Sequence, residues 1–301
     1  MRDTRDMLLV LLSSLLMLTG CSRRDILDDY PVSGVEISLD WNGVTNKLPE
    51  GVRVIFYPKN AEGRKIDTYL SVKGGKVKVP PGRYSVVVYN YDTETVQIRG
   101  EEAYETIEAF TGHCNGLGIA GTEQLVWGPD PLYVVRIDDL KIENSEEELQ
   151  LNWKPKLVVK TYSFKLKVQG LEYVSSIVGS IEGMSSCYDL GLGCGKAGDS
   201  PIYFAARGSA GEVTGSFTVF GTSEGVISRA GNAIKLTLAF VKTDNKVQKM
   251  EVDITEVIAN SESGGSCGDD DGDEPFKEIE LPVEDEVKVD NCLLYTSPSP
   301  R

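Results

Sequence analysis

Alternation of apolar and polar residues along most of the chain predicts short β-strands. The segment VEISLDW, residues 35–41, places apolar side chains at every second position, which is the period of a half-buried strand. The segments GVRVIFYP and TYLSV continue the pattern. In residues 75–92, two alternating runs flank Pro80-Pro81-Gly82. Because proline cannot donate a ladder hydrogen bond, these three residues form the connection of a predicted hairpin.

The same alternation returns in the second half of the chain. In KLVVKTYSFKLKVQGL, residues 156–171, aromatic and aliphatic side chains alternate with Lys165 and Lys167, which predicts a solvated strand face and would also suit a charged, guarded sheet edge. Further strands are predicted in YVSSIVGSIEGM, PIYFAA, VTGSFTVFG, AIKLTLAFV, KVQKMEVDI and FKEIELP. The one candidate helix in the first half is EEAYETIEAF, residues 101–110, which fits a loop or a strand equally well.

Two prolines, Pro129 and Pro131, follow a glycine-rich segment and predict a domain boundary. The predicted domains are one β-sandwich in residues 33–128 and another in residues 129–291. The hairpin in residues 75–92 resembles the lppG-x-Y-x-v hairpin of transthyretin-like and related β-sandwiches. The predicted fold class is therefore all-β, with two tandem transthyretin-like or immunoglobulin-like β-sandwich domains.

The first twenty residues have the layout of an export signal. Two arginines precede a largely apolar run from Met7 to Leu18, which is shorter than the about 20 apolar residues that span a bilayer. The run ends in Leu18-Thr19-Gly20-Cys21, which resembles a bacterial lipobox. The resemblance implies a lipoprotein signal peptide in residues 1–20, acylation of Cys21 and a polar tether in residues 21–32. A plain export signal with an incidental cysteine is the alternative.

The last ten residues, CLLYTSPSPR at 292–301, are identical to the translation of one reading frame of a common sequencing-library transposase adapter. We therefore expect residues 292–301 to be an assembly artefact and exclude them from the fold. A genuine tail rich in serine and proline is the alternative.

The composition is acidic. The chain has 46 acidic against 31 basic residues and a formal net charge of −15, so neither a nucleic-acid partner nor a basic membrane-binding face is expected. The one histidine, His113, argues against metal-dependent hydrolysis and histidine acid–base chemistry. Chemistry by carboxylates or lysine is not excluded, but no nucleophile–base motif is present, and we predict that the protein is not an enzyme.

Four of the six cysteines are candidates for disulfides once Cys21 and Cys292 are set aside. Four cysteines allow three connectivities. Cys187 and Cys194 flank the short loop YDLGLG and form the favoured pair, with free thiols as the alternative. A zinc site is not expected, because no C-x₂-C pair is present.

The acidic run CGDDDGDEP, residues 267–275, contains the only candidate metal ligands. Asp269, Asp271 and Asp273 could offer oxygen ligands to Ca²⁺. The run lacks the distal glutamate of a complete calcium loop, so a solvated loop is favoured and no cofactor is expected.

Three other motifs are better explained by structure than by chemistry. Residues 116–121 and 193–198 match the spacing G-x-G-x-x-G, but no predicted helix follows either of them. His113 and Cys114 are adjacent, so in a strand they point to opposite faces. Trp41, Trp127 and Trp153 could stack on a sugar if they were exposed, but each ends an apolar strand, which favours packing in the core or between domains.

Several segments together resemble a known family. These segments are the lipobox, LDDYP, the strand ending LDW, VPPGRYSVVVYN, PDPLYV and YSFKLKVQGLEYVSSIVGSIEGM. Over residues 21–290 they resemble Bacteroidales surface lipoproteins with a domain of unknown function, related to fimbrillin-like and minor-fimbrial anchor proteins. Members that assemble exchange strands between subunits. One departure is Ser22-Arg23-Arg24, which stands where surface-exported lipoproteins of this group often have acidic residues.

The resemblance implies an outer-membrane lipoprotein at the cell surface. The leading hypothesis is a non-enzymatic fimbrial anchor, accessory subunit or adhesin that binds fimbrial subunits through an edge strand. The alternative is a glycan-binding lipoprotein of a polysaccharide-uptake system, and a hydrolase is the least favoured class.

Overall fold

The computed structural model of the chain describes residues 33–45, 47–60, 63–114, 124–145, 147–196, 200–221, 233–261, 276–282 and 287–289. Nearly all regular structure in these ranges is β, which confirms the predicted all-β class. The predicted signal peptide, the tether, the acidic run and the adapter-like segment lie outside the described residues. Within the described ranges, no helix has the length and apolarity needed to cross a membrane.

Eight strands form the first sheet. They are β1 (Ser33–Leu39), β2 (Gly51–Pro58), β3 (Ile66–Ser71), β4 (Gly74–Val79), β5 (Gly82–Asn90), β9 (Tyr133–Ile142), β10 (Leu149–Trp153) and β11 (Lys156–Leu157). Their spatial order is β10-β1-β4-β3-β2-β5-β9-β11. Residues 75–92 do not form the predicted hairpin, because β4 and β5 are not paired with each other. Strand β4 pairs with β1 and β5 pairs with β2, so the turn between them connects separate parts of the sheet.

The first sheet bends back on itself to enclose a core. Strands β3 and β4 share a single residue pair, Ser71 with Gly74, so the sheet divides there into a layer β10-β1-β4 and a layer β3-β2-β5-β9-β11. Apolar side chains of both layers fill the space between them, including Ile37, Trp153 and Phe56. The first half is therefore a β-sandwich whose two layers are parts of one sheet.

A small sheet covers the outer face of the larger layer. It consists of β6 (Val96–Arg99), β7 (Glu108–Thr111), β14 (Cys187–Asp189) and β15 (Cys194–Lys196), in the order β15-β14-β7-β6. Ile55 and Val87 point away from the sandwich core and pack with Ala109 and Leu190 in a second apolar cluster. Strands β2 and β5 are therefore buried on both faces, as the run of three valines in β5 requires.

The second large sheet forms the other half of the molecule. Its strands are β8 (Val126–Trp127), β12 (Lys160–Gln169), β13 (Val174–Glu182), β16 (Ile202–Ser209), β17 (Glu212–Val219), β18 (Lys235–Lys242), β19 (Val247–Asp253), β20 (Phe276–Glu280) and β21 (Val287–Lys288). The main order is β19-β18-β13-β16-β17-β12-β20, with β8 beside β16 and β21 beside β12. One core, which includes Tyr162, Phe164, Phe217 and Phe240, lies within this sheet.

The described helical structure is limited to two short elements of the second half. A 3₁₀ turn, Leu171–Tyr173, precedes β13, and helix α1, Thr255–Ser261, follows β19. The Asp253 carboxylate accepts the Thr255 backbone N–H at 2.9 Å, and Ile258 buries its side chain in the core. The segment at residues 101–110 is a series of turns that leads into β7, not a helix.

The predicted domain boundary at 128/129 is corrected by strand pairing. After Pro131 the chain returns to the first sheet, because β9 pairs with β5 along most of its length and β10 pairs with β1. The change to the second sheet falls between Leu157 and Lys160. The two prolines interrupt the strands locally, but the strand partners are fixed by contacts that are distant in sequence.

Candidate functional site

Strand β9 presents an open edge at the side of the first sandwich. One side of β9 pairs with β5 from Tyr89–Val134 to Gly82–Ile142. On the other side, β11 pairs only with Tyr133 and Val134. Among the described residues, no strand lies beside the outer edge of residues 135–142. This part of β9 can therefore accept an additional strand.

The register shows which backbone groups face this open edge. The Arg83 carbonyl accepts a hydrogen bond from the Lys59 N–H at 2.9 Å, so the backbone groups of Arg83 face β2. Arg83 lies opposite Lys141 in the antiparallel pair of β5 with β9. In an antiparallel pair, the backbone N–H and C=O groups of two opposite residues either both point toward the partner strand or both point away from it. The Lys141 N–H therefore points away from β5, toward the open edge of the sheet.

Strand β10 forms a second edge across the sandwich from β9. It pairs in parallel with β1, and no other described strand flanks it. Four apolar side chains of the two edges are only half-buried against the core: Ile137 and Leu140 of β9, and Leu149 and Leu151 of β10. A strand added between the two edges would bury these four side chains more fully.

A cleft of about 330 Å³ lies where the open edge of β9 meets β11. Its lining includes four basic residues, Arg136, Lys154, Lys156 and Lys160, and no acidic residue among the described ones. The apolar part of the lining includes Val135, Trp153 and Leu157. We call it the basic cleft, since its charge is opposite in sign to the net charge of the chain.

Arg136 connects the basic cleft with the small sheet. Its guanidinium donates hydrogen bonds to the carbonyls of Gly191 and Leu192, at 3.1 and 2.8 Å, in the turn between β14 and β15. The carboxylate of Asp138 lies 3.5 Å from the same guanidinium and is 62% exposed. The two carbonyls hold the guanidinium in place, and the ion pair with Asp138 compensates part of its charge.

A network of charges joins the two halves of the molecule in the small sheet. The Lys196 ammonium lies 2.7 Å from the Glu108 carboxylate and 3.0 Å from that of Asp189. Asp189 is 2% exposed and also accepts the backbone N–H groups of Gly191 and Leu192. Although burial opposes ionisation, hydrogen bonds from Lys196 and Arg99 hold the pKa of Glu108 below its usual value.

A second charged network braces the outer face of the first sandwich. The Arg53 guanidinium lies 2.6 Å from Asp67 and 2.5 Å from Glu101, and it also donates to the Tyr89 hydroxyl. Its hydrogen bonds to the carboxylate lower the pKa of Asp67. Both carboxylates are ion-paired with Arg53, so we expect this network to stabilise the fold and not to bind a ligand.

The predicted disulfide between Cys187 and Cys194 is absent from the structure. Cys187 lies opposite Lys196 and Cys194 opposite Asp189, so the two cysteines are diagonal rather than direct neighbours on β14 and β15. Diagonal positions lie about 7–8 Å apart, beyond the reach of a disulfide without backbone movement. Burial raises the pKa of the Cys187 thiol.

The remaining predicted residues do not gather at one place. His113 bridges to Val126 next to buried Cys114, whose thiol pKa is raised by burial. Trp153 is in the sandwich core, Trp41 packs against Tyr133, and Trp127 lies on β8 in the second large sheet. The tryptophans therefore form no common sugar-stacking surface. Lys165 and Lys167 are exposed as predicted, but β12 is an interior strand and not an edge.

Other predicted residues lie outside the described ranges. These are the lipobox Leu18, Thr19 and Gly20, the lipidation residue Cys21 and the calcium candidates Asp269, Asp271 and Asp273. Of the two glycine patterns, residues 116–121 also lie outside, whereas Gly193 and Gly195 belong to the β14–β15 hairpin. Residues 193–195 precede no described helix.

The three lysines of the basic cleft are visible in the sequence, but only the fold shows that they line one cleft. Lys154, Lys156 and Lys160 are near one another in the chain, whereas Arg136 belongs to β9, and β10 lies between them in the sequence. Strand β9 contains Asp138, Asp139 and Lys141, charged residues of the kind found on edge strands, but the sequence alone does not show which strands lie beside them.

Comparison with known proteins identifies relatives over the whole chain. The family described as "Domain of unknown function (DUF5119)" matches residues 20–205. A Bacteroides ovatus protein that carries the provisional name fimbrium anchoring subunit Fim4B is 59% identical over 312 residues, covering 100% of this chain and 93% of that protein.

Solved structures agree with the fold. A crystal structure of a candidate adhesin from Bacteroides ovatus has 57% identity and a TM-score of 0.75, covering 90% of this chain and 97% of that chain. Candidate polysaccharide-binding proteins from Bacteroides thetaiotaomicron share the fold alone, at 10% identity and a TM-score of 0.53, over 83% of this chain and 89% of theirs. The chain therefore belongs to the DUF5119 family.

Proposed function

We propose that this chain is a non-enzymatic anchor or accessory subunit of a fimbrium at the cell surface, and that it holds a partner subunit by strand pairing at β9. The observation that carries the proposal is the open edge of residues 135–142, with half-buried core side chains beside it. The relative with 59% identity, named as a fimbrium anchoring subunit, supports the fimbrial role.

The mechanism of docking is the addition of a strand to an existing sheet. Backbone groups of the partner strand would pair with outward groups of β9 such as the Lys141 N–H, and its apolar side chains would cover Ile137 and Leu140. Backbone pairing supplies affinity, and the spacing of side-chain contacts fixes the register. No covalent chemistry is required, in agreement with a non-enzymatic role.

Attachment to the cell rests on Cys21 in this proposal. Acylation of Cys21 would hold the N-terminus in the outer membrane, with the strand-accepting sandwich next along the chain. Substitution C21A is then expected to release the protein, together with any bound fimbriae, from the membrane fraction. Retention of the C21A protein in that fraction would refute the lipid anchor while leaving strand pairing untouched.

The test of strand pairing compares two substitutions at Lys141 in the source bacterium. Lys141→Pro removes the outward N–H but no bond to β5, whereas Lys141→Ala removes the side chain and keeps the N–H. Loss of one backbone hydrogen bond costs about 1 kcal/mol, or roughly a five-fold weaker association. We expect K141P cells to shed fimbriae at least five-fold more than K141A cells, measured by immunoblot of medium and cell fractions.

Thermal unfolding of the purified variants separates docking from folding. Both variants are expected to unfold near the wild-type temperature, because Lys141 is exposed and its ion pair with Glu143 is on the surface. Equal retention of fimbriae by folded K141P and K141A would refute docking at this edge.

A further inference from the structure

We infer that a cleft beside the β14–β15 hairpin binds a neutral carbohydrate. The cleft has a volume of about 1280 Å³, and its walls include the β2–β3 loop, the turns at residues 101–105 and the turn between β14 and β15. We call it the polar cleft. The inference goes beyond the proposed function, because it does not require strand pairing at β9.

Most of the charged groups around the polar cleft are paired with one another. Three of the four basic side chains in its lining form ion pairs, namely Lys59 with Asp139 at 3.5 Å, Lys65 with Glu102 at 3.2 Å and Arg136 with Asp138 at 3.5 Å. Lys59 shares Asp139 with Arg83. The lining therefore lacks a cluster of uncompensated cations, which recognition of a phosphate or a polyanion would require.

Three polar side chains of the lining are available to a ligand. Asn60, Arg64 and Glu105 are exposed, and none of their side chains has a hydrogen bond or ion pair among the described residues. They supply an amide, a guanidinium and a carboxylate, which together offer donors and acceptors with no net charge. A sugar hydroxyl both donates and accepts, so it can bond to each of the three, whereas Glu105 would repel an anionic ligand.

Apolar groups lie beside these polar side chains. Leu192, in the turn between β14 and β15, lines the polar cleft and is 59% exposed. The rings of Tyr57 and Tyr104 pack edge to face at 5.9 Å between centroids, and the Tyr104 hydroxyl donates to the Asp138 carboxylate at 2.6 Å, which fixes that ring. A sugar has apolar C–H faces and a rim of hydroxyls, so a lining that combines apolar surface with free polar groups suits it.

The size of the polar cleft favours an oligosaccharide over a single sugar. Its volume exceeds the about 300–1,000 Å³ of typical small-molecule sites. Its walls come from three separate connections of the chain, so contacts can be spread along an extended ligand. We therefore expect several linked sugar units to contact the protein.

A glycan array tests the inference. The purified full chain, fluorescently labelled, is applied to immobilised oligosaccharides, of which one set is neutral and the other carries uronic acids or sulfate. The proteins are wild type, N60A/E105A, R64Q and the control N42A/E94A. The control removes the same two types of side chain at exposed positions outside the polar cleft.

We expect the wild-type chain to bind neutral oligosaccharides, and an excess of the same oligosaccharide in solution to displace it. N60A/E105A should bind at least roughly ten-fold more weakly, because two side chains that bond to hydroxyls are lost, and R64Q roughly three-fold more weakly. N42A/E94A should bind like wild type. All variants should unfold near the wild-type temperature, because the substituted side chains are exposed.

Three results would each overturn the inference. They are binding to no neutral oligosaccharide, binding confined to the charged set, and neutral binding that N60A/E105A and R64Q leave unchanged. All three would leave strand pairing standing. Failure of the proposed function would instead appear as equal fimbrial retention by K141P and K141A.

Discussion

Glu108 of β7 lies directly opposite Asp189 of β14, although each side chain carries a carboxylate. Like charges in this position destabilise a strand pair unless a cation lies between them. Lys196 supplies that cation and contacts both carboxylates. Because β7 belongs to the first half of the chain and β14 to the second, this arrangement joins the two halves of the molecule beside the open edge of β9.

Substitution of Lys196 should therefore weaken the whole fold. Lys196→Met leaves the buried Asp189 carboxylate without its ammonium partner and opposite Glu108, which keeps only Arg99 as a counterion. Because Lys196 is itself partly exposed, we expect a loss of about 2 kcal/mol in the free energy of unfolding, below the value for a fully buried pair. Urea denaturation at pH 7 measures it.

The matched control for Lys196 is Lys165→Met. Lys165 also pairs with a carboxylate, that of Glu278, but both partners are exposed to solvent, so the loss of stability should be much smaller than for K196M. Equal losses in the two variants would contradict a special role for the Glu108–Asp189 pair.

The Arg53 network predicts a dependence of stability on pH. Its hydrogen bonds hold the pKa of Asp67 below the value in the unfolded chain. The folded state thus binds fewer protons at Asp67, and this stabilisation is present above about pH 4 and is lost as pH falls through the folded pKa. Arg53→Gln should cost about 2 kcal/mol at pH 7, with a smaller difference from wild type at pH 3.

Thermal unfolding between pH 3 and pH 7 measures this dependence. Arg64→Gln, at an exposed arginine in the loop before β3, is the control and should follow the wild-type profile. A constant difference between R53Q and wild type at all pH values would contradict the linkage to Asp67.

Position 179 in the second large sheet must be glycine because an aromatic ring packs directly against its backbone. Gly179 of β13 lies opposite Phe204 of β16, and a Cβ at Gly179 would come within 2.1 Å of the ring. Gly179→Ala should therefore destabilise the protein by about 1–3 kcal/mol through overpacking, as measured by urea denaturation. At Gly112 an added Cβ would meet only the end of the Gln97 side chain, so G112A should be near neutral. Tolerance of G179A would contradict the packing.

The fold class could be predicted because β alternation is a local property. The prediction for β12 is confirmed residue by residue, with Tyr162, Phe164, Leu166 and Val168 buried and the lysines exposed. The assignment of β9 to a domain could not be predicted in this way. It depends on pairing with β5, about 50 residues earlier, and that pairing outweighs the local effect of Pro129 and Pro131.

The site was less accessible from the sequence than the fold. An unpaired edge depends on which strands lie beside it, and the exposed charged residues Asp138, Asp139 and Lys141 are only a local sign of one. The Cys187–Cys194 prediction was wrong because spacing along the chain does not give cross-strand register. The lysines at 154, 156 and 160 are close together in the sequence, but the sheet order was needed to place Arg136 of β9 in the same cleft.

Hydrogen exchange at single amides of β9 tests strand pairing most directly. The comparison is between purified chain and chain isolated with attached fimbriae, with Lys141 as the outward amide and Leu140 and Ile142 as internal references that face β5. Strand docking predicts that exchange at Lys141 slows at least ten-fold in the fimbrium-bound chain, while the two reference amides are protected in both states. Unchanged fast exchange at Lys141 with fimbriae attached would contradict docking at β9.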